Sequence, residues 1–280
     1  VTGPVLDTLD RFCTKATFFQ VGKMALAHPR MAREVVARGH TVGSHTWSHP
    51  RGFNKLPLAV AKDEVERGFA AIALAVGQHV APFFRFPGLG DGAPSLRYLK
   101  SRGIGTFSVD VVSEDSFIAS SERLAATVLA RVEQRQRGII LFHDIKPQTA
   151  RALPIVLQEL KKRGYRVVHL KARQMLQPEP AVLASLRSSY AHAKAIASNR
   201  KAEDIGAVAI YGSGSGAAPP VTILAPPQRQ LTRTGTRQAS GNAKSSGRAD
   251  GRARAKPVRA KGGDGWATTV HRPPAGEASP

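Results

Sequence analysis

Short apolar runs and amphipathic stretches alternate along residues 14–170, and that alternation constrains the fold more than any other feature of the chain. TKATFFQVG (14–22) is short, rich in aromatic residues and closed by glycine, which predicts a buried strand. HPRMAREVVARGH (28–40) predicts a helix, with Pro29 near its start and Gly39 at its end. HTVGSHT (40–46) reads as a second strand and LAVAKDEVERGFAAIALAVG (58–77) as a long helix stopped by glycine. APFFRFPG (81–88), GTFSVDVV (105–112), GIILFHD (138–144) and YRVVHL (165–170) read as further strands. Helices at 95–103, 122–138 and 149–164 separate them. Such an order gives parallel strands joined by right-handed crossovers. Six strands are expected. The first helix, GPVLDTLDRFC (3–13), has no strand before it, and one further strand would make seven.

After Leu170 the texture changes. Residues 180–201 predict a helix inside a linker spanning 173–205. From 206 to 280 the chain is dominated by Gly, Ser, Ala, Pro, Thr, Gln and Arg, with a linker-like YGSGSGAAPP (211–220) and a basic GRADGRARAKPVRAKGG (247–263). This composition buries too little apolar area to offset ordering entropy, so 206–280 is expected to be a disordered basic tail. The formal net charge is +21, and from Val221 onward eleven Lys/Arg face three Asp/Glu. Generic attachment to an anionic polymer or an envelope surface suits such a tail. Only Tyr211 and Trp266 are available there for base stacking, which argues against sequence readout of nucleic acid.

The single cysteine, Cys13, excludes an intrachain disulfide and, beside Phe12 and Leu9, is expected to be a packed thiol. No apolar run approaches the roughly 18 residues of a membrane span. No signal peptide is visible, which leaves bacterial cytoplasm and cell envelope both open, and a monomer is expected.

In a sheet of this kind, chemistry collects at the C-terminal strand ends. The polar residues expected there are His45 and His49, Arg85, Asp110, Asp115, His143 and Asp144. HTWSHP (45–50) holds two imidazoles four residues apart at the end of the second strand, a spacing that suits one zinc ion. Thr46 and Ser48 read as turn caps. His143 emerges from the apolar run GIILF with carboxylates nearby, which suits a general acid. Leu141 would line the adjacent wall or simply pack in the core. Arg85, after two phenylalanines, is either buried with an anionic partner or a strand-end surface arginine. Pro87 and Gly88 shape the following loop, where a free backbone N–H suits an oxyanion. GLGDG (88–92) is not a phosphate loop, because no helix start with Lys-Ser/Thr follows.

KATFF (15–19), GHTVGSHTWSHP (39–50), FRFPG (84–88), SVDVVSEDS (108–116) and LFHD (141–144), in that order, resemble the polysaccharide deacetylase family, the NodB-homology domain of carbohydrate esterase family 4. The resemblance runs from about Gly3 to Leu170 and implies a distorted (β/α)7 barrel over residues 1–172. It also implies a divalent metal, usually zinc, and hydrolysis of the acetamide of N-acetylglucosamine units in chitin oligomers, peptidoglycan or related glycans. On that resemblance, His45 and His49 are the metal ligands and His143 the general acid. Leu141 lines an acetyl-methyl pocket, and Arg85 orients a catalytic aspartate. Asp110 or Asp115 holds His143. The family's Thr-Phe-Asp-Asp-Gly-Pro motif, source of the base and the third ligand, is not in the chain, and Asp7 and Asp10 read as solvated helix residues. A catalytically inactive glycan-binding relative is therefore the alternative expectation.

Overall fold

A computed structural model of the chain describes residues 1–78, 80–209 and 265–271. The chain divides into two compact units, residues 1–194 with 259–280, and residues 195–258. In the second unit only 195–209 are described, and they are helical.

The first unit opens with α1 (Thr2–Arg11), which buries Val5, Leu6 and Leu9 on one face. β1 (Thr17–Gln20) follows, then α2 (Gly22–Ala27) and α3 (Pro29–Ala37). Pro29 takes the first turn of α3, where its missing N–H costs nothing. β2 (Thr41–Ser44) leads to α4 (Leu58–Val76), which ends where Gly77 turns left-handed at φ 80°. β3 (Phe83–Phe84), α5 (Ala93–Ser101), β4 (Gly105–Thr106) and β5 (Val111–Val112) come next. α6 (Ser121–Arg135) starts at Ser120, whose hydroxyl accepts from the Arg123 amide. β6 (Arg137–Phe142), α7 (Pro147–Lys162), β7 (Arg166–Val168), α8 (Pro180–Ala209) and β8 (Gly265–His271) complete the order.

The parallel pairs are β1 with β2, β2 with β3, β3 with β4, and β5 with β6. This is the α/β architecture expected from the alternation. The full hydrogen-bonded order is β4-β3-β2-β1-β8-β6-β5, with β7 also paired to β8, so β4 and β5 stand at its two ends. Phe18, Phe84, Ile140 and Phe142 on the strands meet Phe69 and Ile72 of α4 and Val128 of α6 in one buried cluster. Neighbouring strands approach so closely at Gly43 that a Cβ there would lie 2.6 Å from the Phe83 carbonyl oxygen.

Three expectations are corrected. GTFSVDVV is not one strand: β4 pairs with β3 and β5 with β6, and between them the Phe107 and Ser108 carbonyls accept from the Arg85 guanidinium. The expected disorder of 206–280 fails at Gly265–His271, which forms β8; Trp266, Thr268, Thr269 and Val270 are strand-favouring residues in an otherwise strand-poor tail. Residues 206–209 continue α8, and 210–264 and 272–280 lie outside the described residues. Cys13 is exposed rather than packed: it follows α1 in a left-handed conformation, φ 50°. The helix expected within 173–205 is α8, and its Leu186 is buried against Ala70 and Ala71. No described helix is long and apolar enough to cross a membrane.

Candidate active site

β2, β3 and β6 deliver the candidate residues to one end of the sheet. His45 follows β2 directly and is 4% exposed. The Arg85 carbonyl, just past β3, lies 2.8 Å from its Nδ1. A carbonyl only accepts, so Nδ1 carries the proton and Nε2 keeps its lone pair. Burial, then the neighbouring His49, pushes the His45 pKa down to about 3, which keeps the ring neutral. The His49 ring sits 4.6 Å from that of His45, centroid to centroid, and burial lowers its pKa too. β6, antiparallel to β8, runs in the same direction as β1 and β2, so His143 leaves the sheet at the same end as His45.

The loop between the two histidines is built rather than draped. Thr46 and His49 both adopt positive φ, 71° and 56°. For a β-branched threonine that is a strained backbone. Thr46 is fully buried; its hydroxyl accepts from the His49 amide and its carbonyl from the Gly22 amide, both at 2.9 Å. Glu64 of α4 then grips Ser48 twice, at the amide (2.8 Å) and the hydroxyl (2.6 Å). α4 comes this close because residue 68 is glycine: a Cβ there would lie 2.7 Å from the Thr46 carbonyl carbon and from the Ser44 hydroxyl. Glu64 was not anticipated from the sequence; its signal, a carboxylate on the apolar side of an amphipathic helix, is shared by many residues. The Trp47 ring lies under two cations, Arg67 at 4.6 Å and Lys23 at 5.6 Å.

Across the site, β6 ends at Phe142 and His143 leaves it. The His143 Nδ1 lies 2.6 Å from Asp115 Oδ1, and its backbone amide donates to Asp115 Oδ2 at 2.6 Å. The Thr149 hydroxyl donates to the same Oδ2, also at 2.6 Å. Burial alone would raise the Asp115 pKa, but the hydrogen bonds from His143 and Thr149 outweigh it and the carboxyl ends below its usual range. Asp115 thus holds His143, and Asp110 does not. Asp110 is exposed and accepts from the Ile139 amide, nearer the opposite end of β6. The following residue, Asp144, is buried, accepts from Thr2 and has its pKa raised by that burial.

Arg85 is 1% exposed. Its guanidinium lies 4.3 Å from the centre of the Phe19 ring and donates to the Phe107 and Ser108 carbonyls. Nη1 is buried with no partner among the described residues. Burial lowers its pKa to about 9. The reading as a surface arginine is therefore overturned, and the anionic partner of the other reading is not among the described residues. Pro87 and Gly88 form a tight turn beyond it, with Gly88 exposed at φ 60° and open space where a Cβ would stand. Leu141 is buried in β6, in register with Val112. Asp7 and Asp10 belong to α1, as expected, but pair with Arg38, and Asp10 also with Lys15.

The histidine pair suits a divalent metal in kind: two neutral imidazoles, one with its second nitrogen fixed by a carbonyl, are the usual ligand form. It does not complete a shell. A closed protein site takes three or four ligands, and no group of three or more His, Cys, Asp or Glu stands together for a cation among the described residues.

Residues 1–106 match the family model for polysaccharide deacetylase. The chain is 31% identical over 168 residues to the peptidoglycan-N-acetylglucosamine deacetylase PgdA of Listeria monocytogenes, covering 60% of this chain and 34% of that protein. It is 29% identical over 180 residues to the chitooligosaccharide deacetylase of Bradyrhizobium sp., covering 59% of this chain and 81% of that one. Among solved structures, the peptidoglycan deacetylase Bd3279 of Bdellovibrio bacteriovorus superposes with a TM-score of 0.57 at 38% identity, over 62% of this chain and 49% of that chain. The chain thus spans about a third of the Listeria protein's length and half of the Bdellovibrio chain's.

Proposed function

We propose that this chain, whose residues 1–106 match the polysaccharide deacetylase family model, hydrolyses the acetamide on N-acetylglucosamine units of a chitin-like or peptidoglycan glycan. The observation that supports this reading is a buried Asp115–His143 pair at the same end of the sheet as the His45–His49 loop.

With Nδ1–H held by Asp115, His143 has Nε2 left for proton traffic. A proton taken up at Nε2 gives an imidazolium that the Asp115 carboxylate stabilises, and that proton can be handed to the departing amine nitrogen. Thr149 and the His143 amide fix the carboxylate, so the ring does not swing away during transfer. In this reading the Gly88 backbone N–H, on its exposed turn, meets the acetyl oxyanion, and Leu141 offers an apolar wall. His45 and His49 would hold a divalent metal, zinc by preference, whose chemistry is to polarise the acetyl carbonyl and acidify water. The basic residues of the tail favour attachment to an anionic envelope polymer.

A second reading is a glycan-binding protein without catalysis. It is favoured by Arg85, buried with no anionic partner among the described residues, and by a metal set that stops at two imidazoles. Acetate release from N-acetylglucosamine oligomers and peptidoglycan, measured with added zinc and against His143→Ala, separates the two. Release that depends on His143 supports the enzyme. Glycan retention without release supports the binding protein, and neither retention nor release sinks both.

A further inference from the structure

The strand that lies between β1 and β6 in the pairing order is the one furthest along the chain. β8 runs antiparallel to every strand it touches, whereas all other strand pairs are parallel. One edge of it pairs with β6 along Arg137–Phe142. The other edge is shared: Gly265, Trp266 and Ala267 face β1, and Thr269, Val270 and His271 face β7. Without β8, β1 and β6 would each keep one strand neighbour, and β7 would have none among the described residues. β6 is the strand that leads to His143, and its Ile140 and Phe142 are fully buried. Such a strand does not tolerate a row of unpaired backbone groups.

We propose that residues 265–271 are a complementing strand. The rest of the sheet forms a slot between β6 on one side and β1 with β7 on the other, and this chain's own GWATTVH segment fills it. Two independent observations point to this occupant. The slot needs an extended segment able to bond on both edges, and GWATTVH is proline-free and rich in β-branched residues, flanked by the glycine-rich KGGD and by RPP. The register also fits the slot's length: β8 spans the whole of β6 while meeting β1 and β7 in succession. Residues 265–271 are thus part of the folded body beside the strand that leads to His143, and a proline within them should act on that strand.

Prolines in the full-length chain test it. Thr268→Pro and Thr269→Pro each remove one N–H, and the N–H groups of adjacent strand residues point to opposite edges, so the two variants probe both ladders. Ser246→Pro, in the same tail outside β8, is the control. The expected result is a melting temperature lower by about 10 °C in either β8 variant, with faster amide exchange along β6, and no change in Ser246→Pro. A β8 variant that fails to fold while Ser246→Pro folds supports the proposal equally. Three results overturn it: unchanged melting and β6 exchange in both β8 variants, equal losses in all three variants, or a sedimenting dimer of the parent that the β8 prolines dissociate, which would put a second copy's strand in the slot.

Discussion

Asp115 meets His143 at two points and Thr149 at a third: its Oδ1 takes the ring Nδ1, while its Oδ2 takes the His143 backbone amide and the Thr149 hydroxyl. The carboxylate therefore orients the imidazole and clamps the chain where it leaves β6.

Asp115→Asn should separate these tasks. The amide keeps one acceptor oxygen but can no longer support an imidazolium. Acetate release should fall about 10³-fold, and stability by about 2 kcal/mol. Thr149→Val should cost stability of similar order but much less rate. Turnover and urea unfolding on the same two proteins check the pair; equal rate losses in both would refute the assignment. The low Asp115 pKa also sets a sign: its contribution to stability is present above the ordinary carboxyl pKa and disappears as pH falls through the lowered one.

Arg85 carries a prediction in the other direction. Removing one partner of a buried ion pair strands its mate and costs about 3–5 kcal/mol, but the Arg85 guanidinium has no carboxylate to strand among the described residues. Arg85→Met should change unfolding free energy by no more than about 1 kcal/mol, the lost bonds to the Phe107 and Ser108 carbonyls being offset by relief of desolvation. A loss near 4 kcal/mol in denaturant titration would reveal an anionic partner in the folded chain.

His40 predicts an acid limb. It is buried at the start of β2, its Nδ1 accepting from the Ala16 amide and its ring 5.2 Å from that of Phe18. Burial first, then Lys15, Arg38 and His169, hold its pKa down at about 4, against the opposing pull of Asp10. The unfolded chain therefore binds a proton that the folded chain refuses between about pH 6.5 and 4. Stability should fall across that window by about 2 kcal/mol, allowing for solvent screening. His40→Gln should flatten the limb, which melting curves at half-unit pH steps will show.

Gly68 sets helix propensity against space. Alanine at a helix interior normally gains up to about 1 kcal/mol over glycine. Here the added Cβ would meet the Thr46 backbone and the Ser44 hydroxyl at 2.7 Å. Gly68→Ala should thus destabilise by about 1–2 kcal/mol, and it should shift the ring resonances of His45 and His49 in NMR spectra. A gain in stability would show that α4 is free to move away.

Much of this was legible in the chain because local pattern and tertiary structure agree. The glycine stops of α3 and α4, Pro29 at the head of α3 and the apolar run before His143 each report on their own neighbourhood. So does HTWSHP, whose two rings do meet. What stayed hidden depends on partners far apart in sequence. Nothing in SVDVVSEDS distinguishes Asp115 from Asp110; the choice is made by His143 and Thr149, some thirty residues on. Glu64 is tied to Ser48 only after α4 folds back over the loop. β8 escaped notice because seven strand-like residues in a polar tail carry little weight until a sheet offers them two edges.

Thr46 and His49 hold left-handed backbones that bonds within the fold fix, from the His49 and Gly22 amides to Thr46 and from Ser48 to Glu64, so the loop has its shape as soon as the chain folds. Affinity for whatever the two rings bind then owes little to rearrangement on arrival, and it trades against robustness. Variants that relax those two residues should survive heat better and grip a cation less well, and a search for tighter binders should look among the proteins that melt earliest.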